Sequence, residues 1–511
     1  MKKVSFLLVF ALVFGMVASL SAQDGLTLTP ISTIDNGGFD EGAAEISAFD
    51  AGSQRLFVTN GETDSVDIFD LSDATAPTLV SSIDITEFGG GVNSVAVFDG
   101  LLAAAVEADP ATDPGFVVFF DTDGNSLGSV QVGALPDMVT FSPDGTLVFT
   151  ADEGEPNDDY TIDPLGSVSI IDVSGGVDMA TATILTFEGV EIPEEVRVFG
   201  PGASAAQDLE PEYVAVSPDG STAFVALQEN NALAIVDVES ASITAVVSLG
   251  FKDHSLEGNE LDAGTDDGVI NITNWPLLGM YQPDGIATYE VDGEVYIVTA
   301  NEGDTRDYDG YSEEGEIGES DIEAESVDIE TLATEDAILG LGITEANGDT
   351  DGDGDIDVLY IPGARSFSIW AADGTLVYDS GADFEQITAE LLPDDFNSTN
   401  DENGDFDGRS DNKGPEPEAV EIGVIDGVPY AFIVLERVGG IMVYNIADPT
   451  APEYVTYVNT RDFSGNAEEG TAGDLAPEDA VFVPADQSPT GTNILIVTYE
   501  VSGSTTIFEI E

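Results

Sequence analysis

A unit of four short strands recurs along this chain and constrains its fold more than any other feature. Tyr213–Val216, the turn Ser217-Pro218-Asp219-Gly220, Thr222–Leu227, Leu233–Val238 and Ile243–Leu249 make one copy. Met138–Phe141, the turn Ser142-Pro143-Asp144-Gly145, Leu147–Ala151, Val168–Val173 and Thr181–Phe187 make another. The same order begins at Ile46, Ser94, Ile286 and Ala419. Val, Ile, Phe and Tyr favour a pleated backbone, and Pro-Asp-Gly and Asp-Gly set tight turns between strands. Amphipathic helical stretches are nearly absent. A unit from Asp479 supplies only three strands, Ala480–Val483, Ile494–Tyr499 and Thr505–Ile510, so Leu28–Ile34 is predicted to add the fourth. The predicted fold is all-β: a seven-bladed β-propeller, closed by an N-terminal strand that completes the last blade. Closure of this kind removes exposed sheet edges. One domain is expected over residues 26–511. Its insertions at 250–282, 302–364 and 381–416 should be long loops on one face, where function usually concentrates.

In such a fold the start of each first strand and the end of each second strand lie at the same mouth. The first strands are preceded by Glu45, Asn93, Asp137, Glu212, Asp284, Glu418 and Glu478, five of them after Pro. The second strands run out into Asn60, Glu107, Glu153, Glu229, Glu302, Glu436 and Glu500. A ring of carboxylates at one mouth is therefore expected. Two unit charges roughly 8 Å apart repel by about 0.5 kcal/mol in water and about 2 kcal/mol at an effective dielectric near 20. A ring of this size needs cations or protons, and hard cations suit oxygen ligands. The alternative reading is that each carboxylate shapes the strand entry or holds a neighbouring amide.

Asp349, Asp351, Asp353, Asp355 and Asp357 carry the sharpest metal signal. Asp at positions 1, 3 and 5, Gly354 at 6, Ile356 at 8 and Asp at 9 form the front of a calcium loop. Position 12 is Tyr360 rather than Glu, so a loop-only calcium site is expected, not a helix pair. Calcium is the expected cofactor, with no organic cofactor. With a single His and no Cys, zinc and copper sites are poorly served.

Residues 1–22 have a Lys2-Lys3 start, an apolar run and small residues up to Ala22, which reads as a cleaved secretory signal. The protein is then secreted, extracellular or periplasmic, with no membrane insertion after cleavage near Ala22. No Cys means no disulfides, so metal ions are the natural staples for long loops. The 100 acidic residues face only nine basic ones beyond Lys3, which argues against nucleic-acid and membrane-surface partners. Those nine are Arg55, Arg197, Lys252, Arg306, Arg365, Arg409, Lys413, Arg437 and Arg461. Six of them fall in or beside the insertions or a second-strand exit. They are either an anion-binding set opposite metal ions or ion pairs that knit loops to the acidic ring.

Several segments resemble the choice-of-anchor I family. They are Gly42–Asp50 (GAAEISAFD), Gly250–Ser255 (GFKDHS), Trp275-Pro276, Gly279–Asp284 (GMYQPD), Ala300–Tyr308 (ANEGDTRDY), Arg409–Glu418 (RSDNKGPEPE) and Leu435–Gly440 (LERVGG). The resemblance implies a propeller of the YVTN-repeat type on an exported protein. It also implies likeness to mesenchyme-specific cell-surface glycoproteins linked to biomineralisation. Two functions follow. One is a non-enzymatic, calcium-binding adhesion or biomineral-type protein, with divalent cations and an extracellular glycan, protein or mineral as partners. The other is a calcium-dependent phosphoesterase of the alkaline phosphatase or phytase kind. Its metal would sit in the acidic mouth, with Lys252, Arg306, Arg409 and Lys413 for phosphate and His254 as acid/base. In the enzyme the basic residues point unpaired into the mouth; in the binding protein they are consumed in salt bridges.

Overall fold

A computed structural model describes residues 25–264, 268–318, 338–350 and 352–511. The signal segment 1–22 and Asp351 lie outside the described residues. The chain is all-β, with seven four-stranded antiparallel sheets among the described residues. In chain order the strands of the first sheet are Ser47–Asp50, Arg55–Asn60, Ser65–Asp70 and Thr78–Asp84. The second holds Val92–Phe98, Leu101–Val106, Pro114–Asp121 and Ser126–Ala134. The third holds Pro136–Phe141, Leu147–Asp152, Ser167–Asp172 and Thr181–Thr186, and the fourth Val214–Val216, Thr222–Leu227, Ala232–Asp237 and Ser242–Ser248. The fifth joins Ile286–Val291 and Glu294–Asn301 to Ser366–Ala371 and Leu376–Asp379 across the second insertion. The sixth holds Pro417–Ile425, Val428–Leu435, Ile441–Asn445 and Glu453–Val458. In the seventh, Leu28–Asp35 pairs with Ser504–Ile510, which pairs in turn with Asn493–Tyr499 and Pro477–Val483.

Successive side chains of a strand point to opposite faces, and the second strands are buried at nearly every consecutive position, so both faces of each sheet are covered. Phe57, Val66 and Ile68 of the first sheet pack with Leu102, Ala104 and Val118 of the second. Equivalent clusters join second to third, third to fourth, fourth to fifth, fifth to sixth and sixth to seventh. A further cluster joins Ile494, Ile496 and Ile507 of the seventh to Leu56 and Val58 of the first. Polar links run across the same boundaries: the Ser47 amide donates to Asp479, and Thr288 Oγ1 donates to the Val216 carbonyl.

The insertions are more than loops. Phe251–Asp253 and Leu278–Met280 from the first pair with Tyr360–Ile361 from the second in a three-stranded sheet. Trp275, Leu261, Ile343, Ile356 and Leu359 fill a separate apolar core between them. The third insertion carries the helix Asp383–Leu391. Arg365 ties all three together: it donates to the Asp262 carbonyl, to Glu385 and to the carbonyls of Ser410 and Asn412.

Candidate functional site at the acidic mouth

The local backbone explains how carboxylates reach the mouth. Leu135, Gln282, Glu416 and Ala476 each precede a Pro and each takes a positive φ, between 38° and 56°. That turn ends the incoming segment, and Pro then opens the strand without needing an amide donor. The ladder register shifts between Val92 and Ser94, Pro136 and Met138, Pro417 and Val420, and Pro477 and Asp479. The residues inside those bulges include Asn93, Asp137, Glu418 and Glu478. A bulge leaves one residue unpaired and re-aims its side chain, so four of the mouth groups are bulge residues. At the second-strand ends, Glu302 stands where Gly303, with φ 108°, abuts Gly363. A Cβ on Gly303 would come 2.2 Å from the Gly363 nitrogen, so only glycine fits.

One cavity of about 260 Å³ is lined from all seven sheets, by Glu45, Asn93, Asp137, Tyr213, Asp284, Ala419 and Glu478 among others. The carboxylates around it feel one another. Desolvation, then Glu500 and Asp137, push Glu45 up to about 7. Desolvation, then Glu155 and Glu107, take Asp137 to about 7. Desolvation followed by Glu302 takes Asp284 to about 8. Glu153, Glu212, Glu418 and Glu478 rise well above the usual range, first by desolvation and then by neighbouring carboxylates. Glu107 and Glu500 also rise, and desolvation takes Glu229 to about 7. Ten of the twelve acidic residues expected at the mouth are thus raised, Glu436 rises with them, and Glu302 is among the neighbours that raise Glu418. The tightest set is Glu302, Glu418 and Glu436, all buried, each offering an oxygen within 4.8 Å of the other two.

The basic residues are consumed. Arg306 pairs with Asp208 and Glu210, all three buried. Lys252 Nζ meets Asp379 at 3.0 Å and the carbonyls of Ala364 and Gly381. Arg197 pairs with Glu313, Arg365 with Glu385 and Arg55 with Asp70. Arg409, Lys413 and Arg437 converge on Glu416, which is fully buried. Burial alone would raise the Glu416 carboxyl, but these three cations hold it at about 2. Arg461 donates to the carbonyls of Thr399, Glu402 and Arg437. His254 is buried in the insertion layer, with Nδ1 2.7 Å from the Asn259 carbonyl oxygen. Desolvation, then Lys252, push its pKa well below the usual histidine range. Of the five groups considered for phosphate chemistry, Arg409 and Lys413 meet at Glu416, and Lys252 and His254 are neighbours in the insertion layer. Arg306 goes to its own ion pairs.

In the acidic loop, the Asp349 carboxylate accepts from the amides of Gly352 and Gly354 at 2.6 and 3.0 Å. Asp357 accepts from both the amide and the hydroxyl of Thr350, and the Asp355 amide donates to Asp353. Ile356 anchors the loop in the insertion core. Sequence reasoning missed Gln228, which orients Glu302, and Glu416, which gathers Arg409, Lys413 and Arg437 beside the mouth. Their only signals were adjacency, since Gln228 precedes Glu229 and Glu416 precedes Pro417.

The choice-of-anchor I domain profile matches residues 45–449. Gigasin-3a of Magallana gigas is 32% identical over 189 residues, covering 34% of this chain and 66% of that protein. A mesenchyme-specific cell surface glycoprotein of Strongylocentrotus purpuratus is 27% identical over 280 residues, covering 47% of this chain and 35% of its own length. Among solved structures, Kuenenia stuttgartiensis hydrazine synthase overlays with a TM-score of 0.47 at 12% identity, covering 93% of this chain and 97% of that one. The Cps50 (Swd1) β-propeller domain of Myceliophteria thermophila gives 0.45 at 10% identity, covering 94% and 99%. Among the described residues, no helix is long and apolar enough to cross a membrane.

Proposed function

The chain belongs to the choice-of-anchor I family, and on that premise we propose that it is an exported, non-enzymatic, calcium-dependent binding protein built as a closed seven-bladed propeller. The observation that carries the binding reading is the fate of the scarce cations. Eight of the nine are held in ion pairs and the ninth by carbonyl groups, so none is left free in the mouth to hold a phosphate. The mouth keeps an excess of carboxylates, and hard cations are what such a surface holds. The cell-surface relative favours an extracellular setting. Closure is supported by apolar clusters at every sheet boundary, that between the seventh and first included. Calcium is assigned to the mouth and to the 349–357 loop, with an extracellular glycan, protein or mineral as the larger partner.

Thermal melting of the mature protein in millimolar calcium and in chelator tests this reading, with hydrolysis of a phosphate ester and of phytate assayed alongside. A calcium concentration one hundredfold above Kd adds about 2.7 kcal/mol, so the melting temperature should rise clearly. Turnover of either ester that calcium switches on would replace the reading with the phosphoesterase. Equal melting with and without calcium would remove the cation from it.

A further inference from the structure

The mouth is not uniform, and its densest point has the parts of a specific ion site. Glu302 and Glu436 directly follow the second strands of the fifth and sixth sheets, and Glu418 lies in the first strand of the sixth. The three are 7 to 8% exposed. Their oxygens lie within 4.8 Å of one another, which is the diameter of a shell of ligands about 2.4 Å from a central ion.

Two of the three are already oriented. Glu302 accepts from Gln228 Nε2 at 2.6 Å and from Lys413 Nζ. Glu436 accepts from Asn400 Nδ2 at 2.8 Å and pairs with Arg437 at 3.1 Å. Donors that fix ligand orientation without filling the centre are the usual outer layer of a metal site. Glu418 differs: its carboxyl meets that of Asp284, and its buried Oε2 has no hydrogen-bond donor among the described residues. A buried carboxylate oxygen with no donor is costly to keep.

Nor do the nearby cations supply that partner. Lys413 divides itself between Glu302 and Glu416, and Arg409 and Arg437 also turn to Glu416. Asp284, Glu302, Asp304, Glu416, Glu418 and Glu436 outnumber these three cations, so a further cation would offset like-charge repulsion at this point. The donors are all oxygen, and the only His is buried in the insertion layer. That chemistry selects a hard cation.

We propose that Glu302, Glu418 and Glu436 form a calcium site of their own, separate from the 349–357 loop, that clamps the fifth sheet to the sixth at the mouth. Through Asn400 and Lys413 the same ion fixes the third insertion over that mouth. This rests on the calcium-dependent reading above and assigns part of it to three residues.

Calcium titration by calorimetry on the full mature chain tests the assignment, using wild type, Glu418→Gln, Glu436→Gln and the double variant Asp349→Asn/Asp357→Asn. Glutamine keeps the side-chain shape, and circular dichroism confirms which variants fold. The expected result is that Glu418→Gln loses one calcium equivalent, or binds it at least about tenfold more weakly. It should also lose part of the calcium-induced rise in melting temperature. The double loop variant should keep the mouth equivalent. If Glu418→Gln does not fold, Glu436→Gln provides the same comparison. Stoichiometry and affinity unchanged in both glutamate variants, with loss only in the loop variant, would overturn the triad and leave the calcium reading standing. No calcium uptake by the wild type would remove both.

Discussion

Glu416 and Glu418 are two residues apart in one strand entry, yet they represent two regions with opposite electrostatics. Glu416 faces the insertion layer, where Arg409, Lys413 and Arg437 surround it and hold it near 2. Glu418 faces the mouth, where Glu302 and Glu478 surround it and, with desolvation, push it well above the usual range. The insertion layer neutralises charge internally, through ion pairs with basic side chains the chain itself supplies. The mouth delegates neutralisation to solution, through protons or metal ions. Of the nine cations beyond Lys3, Lys413 and Arg437 reach mouth carboxylates, Glu302 and Glu436, and both also pair with Glu416.

The comparison can be broken most forcibly in the insertion layer. Arg306→Ala strands Asp208 and Glu210 in a buried site. Urea denaturation should show a loss of about 3–5 kcal/mol, and a loss under 1 kcal/mol would mean that water reaches this pair. Next comes pH. The folded-state values of Glu45, Asp137 and Glu229 are raised to about 7. Between about pH 4 and 7 the folded protein therefore binds more protons than the unfolded one, and stability in chelator should fall as pH rises through that window. Saturating calcium should flatten the fall. Glu416 has the opposite sign: with a folded value near 2, its contribution is complete above about pH 4.5 and lost only on acidification towards 2. A melting profile in chelator that rises from pH 5 to 7 would contradict the mouth's assignment. A smaller effect is expected from Glu478→Gln, which removes one like charge from the ring. It should raise stability in chelator by about 1 kcal/mol at pH 8 and narrow the calcium effect. The smallest is Arg55→Ala, whose pair with Asp70 is partly solvated, and it should cost under about 1 kcal/mol in the same assay.

Much of the framework was legible in the residues because short runs rich in Val, Ile, Phe and Tyr and the Pro-Asp-Gly turns between them are local signals. Thr222–Leu227 matches the sequence expectation residue for residue, and the other strands of that sheet lie within one residue of it. The pairing of mouth carboxylates across a hairpin was also local, so Glu302, Glu418 and Glu436 were all candidates. Which of the dozen converge was not legible, since Glu302 meets Glu418 only when two sheets pack. The positive φ of Leu135, Gln282, Glu416 and Ala476 left no trace either, because none is Gly and the strain is held by context. The insertions were read as loops because strands of two or three residues, such as Tyr360–Ile361, are too short for any periodicity. His254 and Lys252 suggested chemistry by being rare, yet their partners are the insertion's own carbonyls and Asp379.

The seventh sheet has a consequence for the order of events in the cell. Thr33 lies beside Thr506, 473 residues away in the chain, so the first strand waits for nearly the whole polypeptide before it gains its partner. Until then Leu28–Asp35 and the opposite flank of the first sheet are open templates for stray pairing. The pairing of Leu28–Asp35 with Ser504–Ile510 thus acts as a timer: the seventh sheet cannot be completed before that late strand has been synthesised.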